Sequence, residues 1–163
     1  KEVSQYCMKF SEYENILIRP EIENYIVVYY AMERPKELFD MAIRYAKTHN
    51  VRIVELTHIP IEGGMVQTEA VEVVQDFAAG PREWLGYLKY ADCIFTNSFH
   101  ATCFSILFHK KFFNSKRNGD KLRNLLETFE LTDRTFDNLR KGFADRAAQK
   151  GLRRYYHSAR IFL

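Results

Sequence analysis

The stretch from Tyr25 to Thr57 constrains the fold of this chain more than any other. Residues Tyr25 to Ala31 read YIVVYYA, a run of β-branched and aromatic residues without polar alternation. That is the pattern of a strand covered on both faces. Pro35 then opens a helix where its missing N–H does no harm. Leu38, Phe39, Ala42, Ile43 and Ala46 recur at helical spacing, so one face of that helix packs on the strand. Asn50 ends the helix, and Val51 to Thr57 (VRIVELT) supplies a second strand. A strand, a helix and a strand of these lengths predict a βαβ unit with a right-handed crossover.

The same alternation continues downstream. The stretch HIPIEGGMVQTE is a connection broken by Pro60 and the pair Gly63-Gly64. That pair lacks a GxGxxG or Walker pattern, and reads as a flexible turn or a lid over a substrate. A short strand is expected over Ala70 to Val74, and Gly80-Pro81 starts a helix with Trp84, Leu85, Leu88 and Ala91 on its apolar face. Cys93 to Thr96 is a buried strand, and Phe99 to Phe108 a central helix apolar on nearly every side. Lys111 to Asn114 is a fifth strand, and Leu122, Leu125, Leu126 and Phe129 mark another amphipathic helix. The predicted fold class is therefore α/β, a Rossmann-like open parallel sheet with helices on both faces. One domain is expected over 1–163, with 1–24 as a connecting segment and 139–163 as a basic C-terminal helix.

Composition narrows the function. With 47% hydrophobic residues and charges of both signs, the chain is neither a disordered tail nor a membrane protein. No apolar run approaches the ~20 residues that a bilayer crossing needs, and no segment has the order of a secretory signal. Cys7, Cys93 and Cys103 lack CxxC spacing, against a disulfide framework or a zinc site and in favour of a reducing, cytoplasmic compartment. His49, His58, His109 and His157 have no metal-ligand spacing with one another, and no metal or other cofactor is expected. The net charge of +3 comes from the tail, where Arg140, Lys141, Arg146, Lys150, Arg153, Arg154 and Arg160 face only Asp145. That tail is a solvated helix face, or a surface for phosphates, anionic lipid at the inner side of the membrane, or another part of the protein. Nucleic acid is not an expected partner, because aromatic residues do not interleave with the basic ones.

In open parallel sheets, ligands bind beyond the carboxyl ends of the strands, beside helix N-termini. Thr96-Asn97-Ser98-Phe99-His100 lies at such a junction: a buried strand stops, three small polar residues follow, and a buried helix begins. Asn97 or Ser98 suits the N-cap, leaving backbone N–H groups for a phosphate or carboxylate. His100 falls in the first helical turn, where an imidazole can donate a hydrogen bond to an anion or transfer a proton near neutral pH. Asn and Ser are also ordinary caps, and such a histidine can simply bond a carbonyl.

The runs Gly80-Pro81-Arg82-Glu83-Trp84-Leu85, Ala91-Asp92, Thr96 to Thr102, Phe104 to Phe108 and Lys111-Phe112-Phe113 together resemble the polysaccharide pyruvyl transferase family. The family pattern is GP-EWL, A-D, TNSFHGT-FSI-F and KPF, then a leucine-rich helix and an arginine, here Arg134. The resemblance implies the C-terminal half of a two-Rossmann-domain, GT-B-like transferase, with catalysis in the cleft between this half and a missing N-terminal half. It implies a reaction in which phosphoenolpyruvate, a co-substrate, gives its enolpyruvyl carbons to two hydroxyls of a sugar or lipid-linked saccharide. The products are a cyclic pyruvate ketal and phosphate, in the building of a cell-surface polysaccharide. On this resemblance His100 is the catalytic position, as proton donor or phosphate contact, with Thr96, Asn97 and Ser98 binding the donor.

Two residues depart from the family pattern. Some relatives have Arg-Leu-His at this motif, and Ser98 stands here in place of that arginine; Ala101 replaces the commoner glycine. The donor carboxylate would then be held by Arg82, by Arg117 or from the missing half. Two other readings stay open: a glycosyltransferase using a sugar nucleotide, whose diphosphate suits the same helix terminus, and a non-catalytic domain that binds a glycan or partner.

Overall fold

The computed structural model describes residues 10–31, 34–57, 71–115, 120–136 and 138. The expected basic helix at 139–163 and the Gly63-Gly64 connection lie outside them, as does Arg117. In chain order the elements are α1 (Phe10–Glu14), β1 (Tyr25–Tyr29), α2 (Lys36–His49), β2 (Arg52–Leu56), β3 (Val73–Asp76), α3 (Pro81–Tyr90), β4 (Cys93–Thr96), α4 (Phe99–Leu107), β5 (Phe112–Asn114) and α5 (Asp120–Thr128). All five strands are parallel, in the order β3-β2-β1-β4-β5.

The unbroken apolar strands follow from cover on both faces. Along β1, Tyr25 and Val27 join one core with Leu85 and Leu88 of α3, Ala101 and Ile106 of α4, and Leu122, Leu125 and Leu126 of α5. Ile26 and Val28 point the other way, into a second core with Leu38, Phe39, Met41, Ala42, Tyr45 and Ala46 of α2. Both faces of β1 are buried from Tyr25 to Val28, so a period-two polar pattern never develops. The sheet is thus Rossmann-like, with α2 on one side and α3, α4 and α5 on the other.

Local signals act largely where the residues suggest. Pro35 is the N-cap of α2, one residue ahead of the first helical position, and Pro81 is the first residue of α3 after Gly80. Asn50 closes α2 in the left-handed conformation, φ 53° and ψ 49°, which its short polar side chain tolerates. The third strand differs from the expected span of Ala70 to Val74: β3 runs from Val73 to Asp76. It is a half-buried edge strand placed by pairing Ile53 to Val73 and Leu56 to Asp76, so sheet register rather than its own apolarity sets its limits. Within the expected connecting segment, α1 is a single short helix whose Tyr13 is buried edge-on against Phe104 and Phe108.

Candidate active site at the carboxyl end of the sheet

Strand order reverses between β1 and β4. The chain steps from β1 outward to β2 and β3, then returns across the sheet to β4 and β5. The carboxyl ends of β1 and β4 flank the crevice where such sheets bind ligands. Thr96, Asn97, Ser98 and His100 all stand on the β4 side of that crevice.

Thr96 is fully buried, and its Oγ1 accepts a hydrogen bond from Ser98 N at 3.0 Å, folding the chain sharply out of β4. Asn97 Oδ1 accepts from Ala31 N at 2.8 Å, tying the loop after β4 to the loop after β1 across the crevice. Ser98 is the N-cap of α4: its Oγ accepts from Ala101 N at 3.4 Å and its carbonyl accepts from Thr102 N at 3.1 Å. Ser98 therefore satisfies one of the first-turn donors that lack an intrahelical partner and accepts the first intrahelical bond. The His100 N–H has no hydrogen-bond partner among the described residues. The His100 side chain is exposed, its ring edge-on to Phe99 at 5.9 Å. Among the described residues, the helix N–H and the imidazole of His100 have no hydrogen-bond partner, and both stand at one helix terminus.

Behind this turn lies a polar contact that the sequence did not suggest. Thr102 Oγ1 is 2.8 Å from Ser98 O and 3.1 Å from Asn114 Oδ1, while Asn114 Nδ2 is buried with no partner. One hydroxyl proton cannot serve two acceptors. Turning the Asn114 carboxamide over, a change that leaves its shape unaltered, lets Nδ2 donate to Thr102 and Thr102 donate to Ser98. Ser115 N donates to Thr96 O at 3.2 Å, so the end of β5 supports the same turn. The only sequence signal was a polar residue, Asn114, closing an apolar strand.

Arg82 stands in the first turn of α3. Its side chain is exposed on α3, and its Nε donates to Ile16 O at 2.6 Å, which commits it to the segment before β1. The nearby aromatics serve packing: Trp84 sits between Tyr29 and Phe104 at 5.3 and 5.4 Å, and Tyr87 OH donates to Asp76 Oδ2 at 2.9 Å. Arg134 is buried with Nε and Nη1 lacking hydrogen-bond partners, and its carbonyl accepts from Asn114 N. Among the described residues, no cluster of three or more His, Cys, Asp or Glu could hold a metal ion. No helix among them is long and apolar enough to cross a membrane.

A second polar group escaped the sequence reading on the β1 side. Glu55 in β2 is fully buried, and its carboxylate accepts from Arg34 Nε (2.6 Å), Arg34 Nη2 (3.0 Å), Tyr30 OH (3.0 Å) and Gln75 Nε2 (2.8 Å). The one available signal was an acid inside the apolar strand VRIVELT. The loop after β1 is thus held on one side by Asn97 and on the other by Glu55.

No curated protein matches the chain. A solved structure described as the glycotransferase of kitacinnamycin is similar at 16% identity and a TM-score of 0.49, over 85% of this chain and 40% of that one. This chain therefore spans less than half of that protein. The family model for polysaccharide pyruvyl transferase matches residues 4–115, a span that takes in every strand and the whole Thr96 to His100 turn. Since that span exceeds half of the 163 residues, this chain belongs to the polysaccharide pyruvyl transferase family.

Proposed function

We propose that this chain is the donor-binding half of a transferase that moves the pyruvyl group of phosphoenolpyruvate onto two hydroxyls of a sugar, forming a ketal. The observation that carries this reading is the pairing of an exposed His100 imidazole with a His100 N–H that has no partner among the described residues, at the start of α4 beside the β1–β4 crevice. The donor phosphate would sit against that helix terminus. During the reaction the methylene carbon gains a proton, and positive charge grows on the neighbouring carbon. The first sugar oxygen bonds to that carbon as its hydroxyl loses a proton; the bond to phosphate then breaks, and the second sugar oxygen takes its place and loses its own proton. A cationic His100 supplies the proton or neutralises the departing phosphate. The acceptor, a sugar or lipid-linked saccharide, would approach from an N-terminal half, completing a GT-B-like cleft. The enzyme would act in the cytoplasm, at the inner face of the membrane if the basic tail touches anionic lipid.

A sugar-nucleotide glycosyltransferase is the second reading. It is favoured by one observation: Ser98 occupies the position where some relatives carry an arginine suited to the donor carboxylate. Ligand-observed NMR with phosphoenolpyruvate, UDP and CMP, repeated with His100→Ala, separates the two. Binding of phosphoenolpyruvate that disappears in the variant supports the transferase; nucleotide binding alone supports the second reading. Binding of none points to a domain that recognises a partner or glycan without chemistry.

A further inference from the structure

We propose that Glu55 is a positioning residue that aims Arg34 at the β1–β4 crevice, where Arg34 binds the carboxylate of the donor; this rests on the phosphoenolpyruvate reading above. A carboxylate buried in the sheet is a costly choice, because an apolar residue of similar volume is often as stabilising or more so. Its presence at Glu55 has a visible consequence, since three of its four hydrogen bonds come from Tyr30 and Arg34 in the segment after β1 and the fourth from Gln75 of β3. Two of them fix Arg34 side-on through Nε and Nη2. The guanidinium also lies over the Phe39 ring, 3.8 Å from its centroid, so both its plane and its rotation are set.

A planar guanidinium held by that edge directs Nη1 away from the carboxylate. Nη1 makes no hydrogen bond among the described residues, and the Arg34 side chain remains 23% exposed. Arg34 follows β1 and precedes α2, three residues beyond Ala31, whose N–H bonds Asn97 of the β4 turn. An anion with a phosphate at one end and a carboxylate at the other would then meet α4 on one side and Arg34 on the other. A cation lost from the β4 turn, where Ser98 stands, is supplied from the β1 loop instead.

The test compares binding of phosphoenolpyruvate with isopropenyl phosphate, which keeps the phosphate and carries a methyl group in place of the carboxylate. Isothermal titration of the full chain should show phosphoenolpyruvate tighter by about tenfold or more, as expected for one charge-assisted bidentate contact. Arg34→Leu should abolish that preference while leaving isopropenyl phosphate affinity unchanged within about twofold. Arg34→Lys should keep part of the preference and Glu55→Gln should lower it, neither altering isopropenyl phosphate binding. The double variant Arg34→Leu/Glu55→Leu removes the unpaired buried charge that could unfold the single one, and should also lose the preference. His100→Ala should weaken both ligands alike. A preference that survives in a folded Arg34→Leu or double variant overturns the assignment and leaves the proposed function standing. So does an absent preference in a wild type that binds both ligands. No binding of either ligand overturns both proposals.

Discussion

Gly86 in α3 provides a prediction in which sequence and structure give opposite signs. Glycine inside a helix costs about 1 kcal/mol relative to alanine, so Gly86→Ala ought to stabilise α3 on propensity alone. A methyl group at that position would stand 1.7 Å from Ile18 O, 2.7 Å from Ile18 C and 3.5 Å from Pro20 Cδ. Reaching an ordinary non-bonded separation requires the backbone at Ile18 to retreat by about 1.5–2 Å. That retreat breaks the bond from Ile18 N to Arg82 O (3.0 Å) and pulls Ile16 O from Arg82 Nε (2.6 Å). Overpacking of this kind costs about 1–3 kcal/mol, and the backbone bond adds about 1 kcal/mol. The Arg82 contact adds little, because that side chain is exposed and screened. Against a propensity gain of about 1 kcal/mol, the net is a destabilisation of about 1–3 kcal/mol. For a chain of this size that is a fall in Tm of roughly 3–10 °C, measurable by circular dichroism or calorimetry. A variant with equal or higher Tm would refute the close seating of residues 16–20 on α3.

Other expectations concern the site and its frame. Asn97→Ala should destabilise by about 1–2 kcal/mol by stripping the Ala31 N–H of its acceptor, whereas Asn97→Asp, which keeps an oxygen there, should cost less in urea denaturation; equal losses would argue against the cross-crevice bond. His100→Ala should leave Tm unchanged because the side chain is exposed; a large drop would mean that the imidazole is structural. Burial pushes the Cys93 thiol up from 9.0 to about 12, so the native protein should resist alkylation there at pH 8, and labelling at the rate of a free thiol would contradict its burial. The same shift has a stability consequence. Between pH 9 and about 12 the folded state keeps a proton that the unfolded state releases, so stability should fall as pH rises through that window. Tyr87, raised from 10.0 to about 12 first by burial and then by its hydrogen bond to Asp76, acts in the same direction. Chemical denaturation with no decline above pH 9 would count against both.

The sequence alone determined the alternation of strands and helices, because cover on both faces imposes continuous apolar runs, and Pro35, Asn50 and Pro81 mark helix limits through backbone restrictions local to each residue. It also located the turn from Thr96 to His100, since a buried strand running into a buried helix through small polar residues is visible in one dimension. Tertiary structure decided what lies across from that turn. The pairing of β1 with β4 brings Ala31 to Asn97, 66 residues apart, and no local pattern encodes it. Glu55 gained its partners only when Tyr30 and Arg34 from the segment after β1 converged with Gln75 of β3. The bond from Arg82 to a carbonyl of the segment packed on α3, 66 residues away, is likewise a long-range contact. Burial and hydrogen-bond satisfaction belong to the assembled sheet. They are sums over long-range neighbours, and a chain read residue by residue does not display them.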